Sequence, residues 1–176
     1  MKRLAVAIVG VLFAAGCSSS NSSTTSPSTN GPGVSNVRFT AALAASQETP
    51  PITNAESTGT GTATMDFTIT RDANSVITAS TVNFQVNMAG LPSTSVVNIA
   101  HIHQGATGVA GPILVNTTTV PGEVVLNGGS GTFTRNAISV PVATAQSIID
   151  NPAGFYFNIH TTLNPAGVMR GQLVKQ

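Results

Sequence analysis

The chain has 176 residues and a formal net charge of +1, and charged side chains make up only 7% of it. So balanced a sequence gives no electrostatic footprint for nucleic acid or for an anionic lipid surface. Its single cysteine has no intrachain partner, so packing rather than disulfides must hold the core.

The first element is a leader. Lys2 and Arg3 carry charge, residues 4–15 are apolar, and Gly16-Cys17 runs into three serines. A basic start, a short apolar stretch and small residues at its end predict a secretory signal peptide over residues 1–16. The apolar stretch falls short of the ~20 residues that a membrane-spanning helix needs. Phe13-Ala14-Ala15-Gly16-Cys17 resembles the lipobox of bacterial lipoproteins, with Ala14 where leucine is more common. That resemblance implies a diacylglycerol on the Cys17 thiol, cleavage before it, and acylation of the new amine. Two or three acyl chains anchor a protein stably. The expected location is therefore the cell envelope, exported and held on a membrane by the N-terminal lipid. Ser18 after the cysteine, in place of Asp, resembles outer-membrane sorting in Gram-negative bacteria.

Residues 17–33 are the lipidated cysteine and a Ser/Thr-rich stretch with no apolar side chain to bury, which predicts a flexible linker. The folded domain is expected over residues 34–176. From there the periodicity is two. Apolar and polar residues alternate through residues 62–70, through 82–88 and again through 155–160, the pattern of half-buried antiparallel strands. Further strands are expected at 37–44, 96–103, 112–116, 123–126, 131–135 and 168–174, with Gly-, Asn- and Pro-rich turns between them. Residues 141–150 carry helix formers between Pro141 and Asn151-Pro152 and predict one short helix. Asn-Pro-Ala-Gly occurs at 151–154 and again at 164–167, which reads as two similar turns bracketing one strand. The fold class is all-β, a sandwich or flattened barrel.

Three histidines stand out: His101, His103 and His160. His101 and His103 are two apart on a predicted strand, so both project to one face with Cα atoms ~6.6 Å apart. His160 lies on another strand, on the face opposite Phe155, Phe157 and Ile159. If the two strands are neighbours, three imidazoles converge, and three neutral nitrogens suit copper or zinc. The alternative is a structural hydrogen-bonded cluster without metal. No acid lies near either segment in sequence, so no Ser-His-Asp arrangement is legible, and the six acids are scattered.

At these residues the chain resembles the CHRD family, known from chordin and from microbial secreted proteins. The central stretch Ala100-His101-Ile102-His103-Gln104-Gly105 with Gly108-Val109-Ala110-Gly111-Pro112-Ile113 carries the likeness. The stretches 154–161 and 164–173 resemble the family's closing motif, Glu48-Thr49-Pro50-Pro51 with 58–63 its opening one, and Gly90-Leu91-Pro92 a turn before the centre. Val168 stands where that family usually has a glutamate. The resemblance implies an immunoglobulin-like Greek-key β-sandwich similar to copper/zinc superoxide dismutase. It also implies that His101, His103 and His160 correspond in order to copper ligands of that enzyme. No bridging histidine, zinc loop or disulfide accompanies them, so rapid dismutation is not expected. Arg170 reads either as an anion guide or as an arginine paired with a carbonyl or carboxylate, and Glu48 as a turn acceptor or an acid. Three functions are compatible with these residues: a metal-binding module, an interaction domain for a protein or glycan, and a dismutase-like redox enzyme.

Overall fold

The computed structural model describes residues 32–176; the expected signal peptide, Cys17 and most of the expected linker lie outside the described residues. The elements follow in the order β1 (Gly33–Ala44), β2 (Thr60–Arg71), β3 (Ile77–Ala89), β4 (Val97–Gln104), β5 (Ile113–Asn116), β6 (Gly131–Ser139), α1 (Val142–Asp150), β7 (Phe155–Thr161), β8 (Met169–Gln172) and β9 (Val174–Lys175). Single 3-10 turns follow β1 (Ala45–Gln47) and precede β7 (Pro152–Gly154). The expected all-β class with one short helix is what the chain forms.

The strands pair antiparallel in one sheet of order β5-β4-β7-β8-β1-β2-β3-β6, with β9 on β1. That sheet is curled. Phe84 on β3 and Phe157 on β7 have ring centroids 5.8 Å apart although three strands separate them in the sheet. Laid flat, four steps of ~4.8 Å would hold them ~19 Å apart. The sheet therefore doubles back into two layers, β1-β2-β3-β6 and β5-β4-β7-β8, with the apolar faces meeting inside. The connections β3→β4 and β5→β6 change layer and run side by side, where the Leu91 amide donates to the Gly129 carbonyl at 3.2 Å. Helix α1 adds Ala145, Ile148 and Ile149 to the core.

The second layer positions the site. Ala100 and Ile102 on β4 and Phe157 and Ile159 on β7 enter the core. By alternation His101 and His103, and Tyr156, Asn158 and His160, face away from it. All seven residues of β7 are nevertheless buried. Loops must therefore cover its outer face.

One expected strand is absent. Residues 123–126 lie in the β5→β6 crossover, where only Asn127 and Ser130 form a bridge. The alternation there is real, with Val124 buried and Val125 exposed, but the segment forms no ladder with a strand, although Gly131 at the start of β6 packs against it. Glu123 instead accepts from the Val120 amide at 3.2 Å and pairs with Arg135. Residues 168–174, expected as one strand, are split at Leu173, whose amide turns to the Phe155 carbonyl at 3.0 Å.

Phe157 is fully buried at the contact between layers. Phe157→Ala is expected to lower unfolding free energy by about 3–5 kcal/mol. Urea denaturation of the purified domain measures this, and a loss below about 1 kcal/mol would contradict the two-layer core.

Candidate metal centre

The β4–β7 register pairs Ile99 with His160, His101 with Asn158, and His103 with Tyr156. Directly opposed residues on one face stand ~5 Å apart at Cβ, and diagonal neighbours lie within reach of long side chains. The pairing thus gathers the three histidines. Ring centroids are 4.4 Å apart for His101–His103, 4.5 Å for His101–His160 and 6.1 Å for His103–His160. One nitrogen from each lies within 4.8 Å of the others, and all three residues are buried. Two nitrogens on one ion stand no more than ~4.2 Å apart.

Backbone carbonyls fix two of the rings. His103 Nδ1 lies 2.8 Å from the Gly111 carbonyl and His160 Nδ1 2.9 Å from the Pro165 carbonyl. A carbonyl only accepts, so each Nδ1 carries the proton and each Nε2 keeps its lone pair. Both Nε2 atoms, and both nitrogens of His101, are buried without a partner. Burial lowers all three pKa values, and for His101 the neighbouring His160 and His103 add to it and push it down to about 3. For His103 and His160 the carbonyl contacts oppose the effect without reversing it. The rings are neutral at pH 7. Neutral imidazoles with oriented Nδ1–H groups and free Nε2 lone pairs are the donors that copper and zinc take. The residues present fit such an ion.

A second row of side chains surrounds the histidines. Asn158 pairs with Arg170, and Tyr156 with Gln172, across β7 and β8. Tyr156 stacks on His103 at 4.7 Å with the planes 6° apart, and the Arg170 guanidinium lies 3.5 Å from its centroid. Arg170 is 3% exposed and donates to the Ala106 and Val109 carbonyls at 3.3 and 3.2 Å. Gln172 donates to the Gly105 carbonyl at 2.9 Å. The loop 105–111 is thereby clamped over the site. A Cβ on Gly111 would run into the Gln104 carbonyl, so glycine lets the loop close back on the end of β4.

Glu48 lies just past the first 3-10 turn and is 7% exposed. Its Oε1 and the Asn158 amide both crowd Gly167: a Cβ there would sit 2.7 Å from Glu48 Oε1 and 2.7 Å from Asn158 Nδ2. The φ of +134° at Gly167 disfavours any other residue there. Burial pushes the Glu48 carboxyl up to about 7, against the attraction of Arg170 and a hydrogen bond from the Thr49 amide. Glu48 is not among the clustered histidine ligands.

The two Asn-Pro-Ala-Gly turns both serve the site. In each, the glycine amide donates to the asparagine carbonyl, at 3.0 and 3.1 Å. The first offers the Gly154 carbonyl to the Gly105 amide at 2.7 Å, and the second offers the Pro165 carbonyl to His160. The second turn is itself braced by Glu56, fully buried, whose Oε2 accepts from Thr161 at 2.6 Å and from the Asn164 amide at 2.5 Å. Sequence reasoning missed Tyr156, Asn158 and Gln172. Tyr156 and Asn158 share the parity of His160 along β7, which was the available signal. It missed Glu56 too, for which no local pattern exists. Val168, in the place of the family's usual acid, packs into the apolar core.

A family model for the CHRD domain matches residues 39–173. The chain belongs to the CHRD domain family, as the motifs around the histidines indicated. No curated protein and no solved structure gives a significant match.

Stability of the metal-free domain should follow these groups. The unfolded histidines protonate near 6.5 and the folded ones lower, His101 at about 3, so their contribution is lost as pH falls below 6.5. Glu48 acts the other way: its folded carboxyl keeps its proton up to about 7 and its unfolded one loses it near 4.5, so its contribution falls between those values as pH rises. Three rings outweigh one carboxyl. The melting temperature in chelator is expected to rise from pH 4.5 to 6.5, and more steeply in Glu48→Gln; a flat curve would contradict buried neutral histidines.

Arg170→Ala should release loop 105–111, seen as faster amide hydrogen exchange there, and Arg170→Lys should not restore it, because a lysine ammonium lacks the planar fork that both stacks and donates. Unchanged exchange in Arg170→Ala would show that the loop does not depend on this clamp.

Proposed function

We propose that this CHRD domain is a metal-binding module that holds one copper or zinc ion through His101, His103 and His160, carried at the cell envelope on a lipid attached to Cys17. The observation that supports it best is the set of buried imidazole nitrogens without partners. Buried polar groups are hydrogen-bonded in the great majority of cases. A ligand that accepts lone pairs accounts for three of the four such nitrogens in this pocket, one from each ring. Copper is favoured over zinc, since among divalent first-row ions it binds nitrogen sites most tightly.

We read the role as binding. Storage, buffering or transfer of the ion needs only the three rings. A second reading, an interaction domain for a protein or glycan, draws on the outer face of the other layer. There Thr40, Thr64, Gln85 and Thr134 stand in one register row across four strands.

Calorimetric titration of the purified domain separates the readings. One Cu(II) per chain should bind with micromolar or tighter affinity, and His101→Ala with His160→Ala together should abolish it. Absence of binding, or binding that survives the double substitution, removes the metal reading.

A further inference from the structure

A cavity of about 290 Å³ lies between the loop 48–54 and the turn 163–167. It adjoins the histidine pocket without being lined by any of the three rings. Pro165, whose carbonyl holds His160, forms part of its wall, and Glu48 is the only charged residue lining it. Glu48 is shared between the two spaces. It lines the cavity, while its Oε1 is buried without a partner beside Asn158, the residue paired with His101. The side of the histidine pocket under loop 105–111 is different in kind, for it is closed by the Arg170 guanidinium and the Gly111 contact to His103.

We propose that this cavity is the port through which the metal cation reaches the histidines, and that the Glu48 carboxylate is its first, transient ligand there. The proposal rests on the metal reading above. Above pH 7, where the Glu48 carboxyl is ionised and where uptake is to be measured, a cation approaching the pocket meets a positive group on the clamped side and a negative one on the cavity side. A cleft whose charges share one sign concentrates the opposite ion and raises its rate of entry. Glu48 serves as a transient ligand because its partnerless oxygen and the Asn158 side chain both crowd Gly167, and Asn158 is the residue paired with His101. From there three neutral nitrogens hold the ion in place of one oxygen, and the carboxylate is left free for the next.

The test is the rate of Cu(II) uptake by the full domain, followed by stopped-flow absorbance, in wild type, Glu48→Gln and Thr53→Trp. Thr53 is exposed on the cavity wall and leaves the carboxylate intact. Both substitutions should slow uptake about tenfold or more, the low end of what such focusing supplies. Stoichiometry and the nitrogen signature in the Cu(II) electron paramagnetic resonance spectrum should stay unchanged. Uptake at the wild-type rate in either variant overturns the port. An altered resonance spectrum in Glu48→Gln makes Glu48 a lasting ligand and overturns its transient role. If Glu48→Gln does not fold, Thr53→Trp alone decides. A wild-type domain that takes up no copper overturns the metal reading and the port together.

Discussion

The antiparallel pairing of β4 with β7 is the constraint on which everything functional rests. Residues 101 and 160 are far apart in the chain, and only this register sets His160 diagonal to His101 on the outer face. A slip of one residue would turn Tyr156, Asn158 and His160 inward and Phe157 and Ile159 outward. The register is therefore secured by the core itself. Phe157 and Ile159 are each fully buried, and Phe157 meets Phe84 from the opposite layer. The packing that folds the domain is also what aims the histidines.

Aiming is only half of the arrangement; the rest is orientation. An imidazole can offer either nitrogen, and the choice is made by what the other one touches. Here Gly111 and Pro165 make that choice for His103 and His160 through their carbonyls. Each carbonyl sits in a loop that is itself tied down: the first by Arg170, Gln172 and Gly154, the second by Glu56 through Asn164. Side chains remote from the pocket thus determine which lone pairs enter it. The polar residues of β8 and the buried Glu56 act on the site in this indirect way.

The strand pattern was legible because alternation on a half-buried sheet is a direct imprint of burial. The histidine spacing was legible because i and i+2 share a face on any strand. What the sequence could not carry was adjacency, and the motif resemblance supplied it. The segment 123–126 shows the limit from the other side: Val124 is buried and its neighbours are not, yet the segment makes no ladder with any strand. Alternation reports which side chains are covered, not what covers them. Glu56 was invisible for a related reason, since its partners Thr161 and Asn164 are over a hundred positions away.

The distribution of unsatisfied groups bears on why such a pocket exists at all. Nine buried side-chain nitrogens and oxygens lack partners among the described residues, and six of them belong to His101, His103, His160, Asn158 and Glu48. An unpaired buried polar group costs about 1–3 kcal/mol. Several of these in one place are a large fraction of the ~5–15 kcal/mol by which a domain of this size is stable. Under the proposed metal binding, three of these atoms, one nitrogen from each ring, are satisfied by the cation, and binding to the folded state alone stabilises that state by mass action. On the metal-binding proposal, the cost of burying these groups unpaired is what a bound cation offsets.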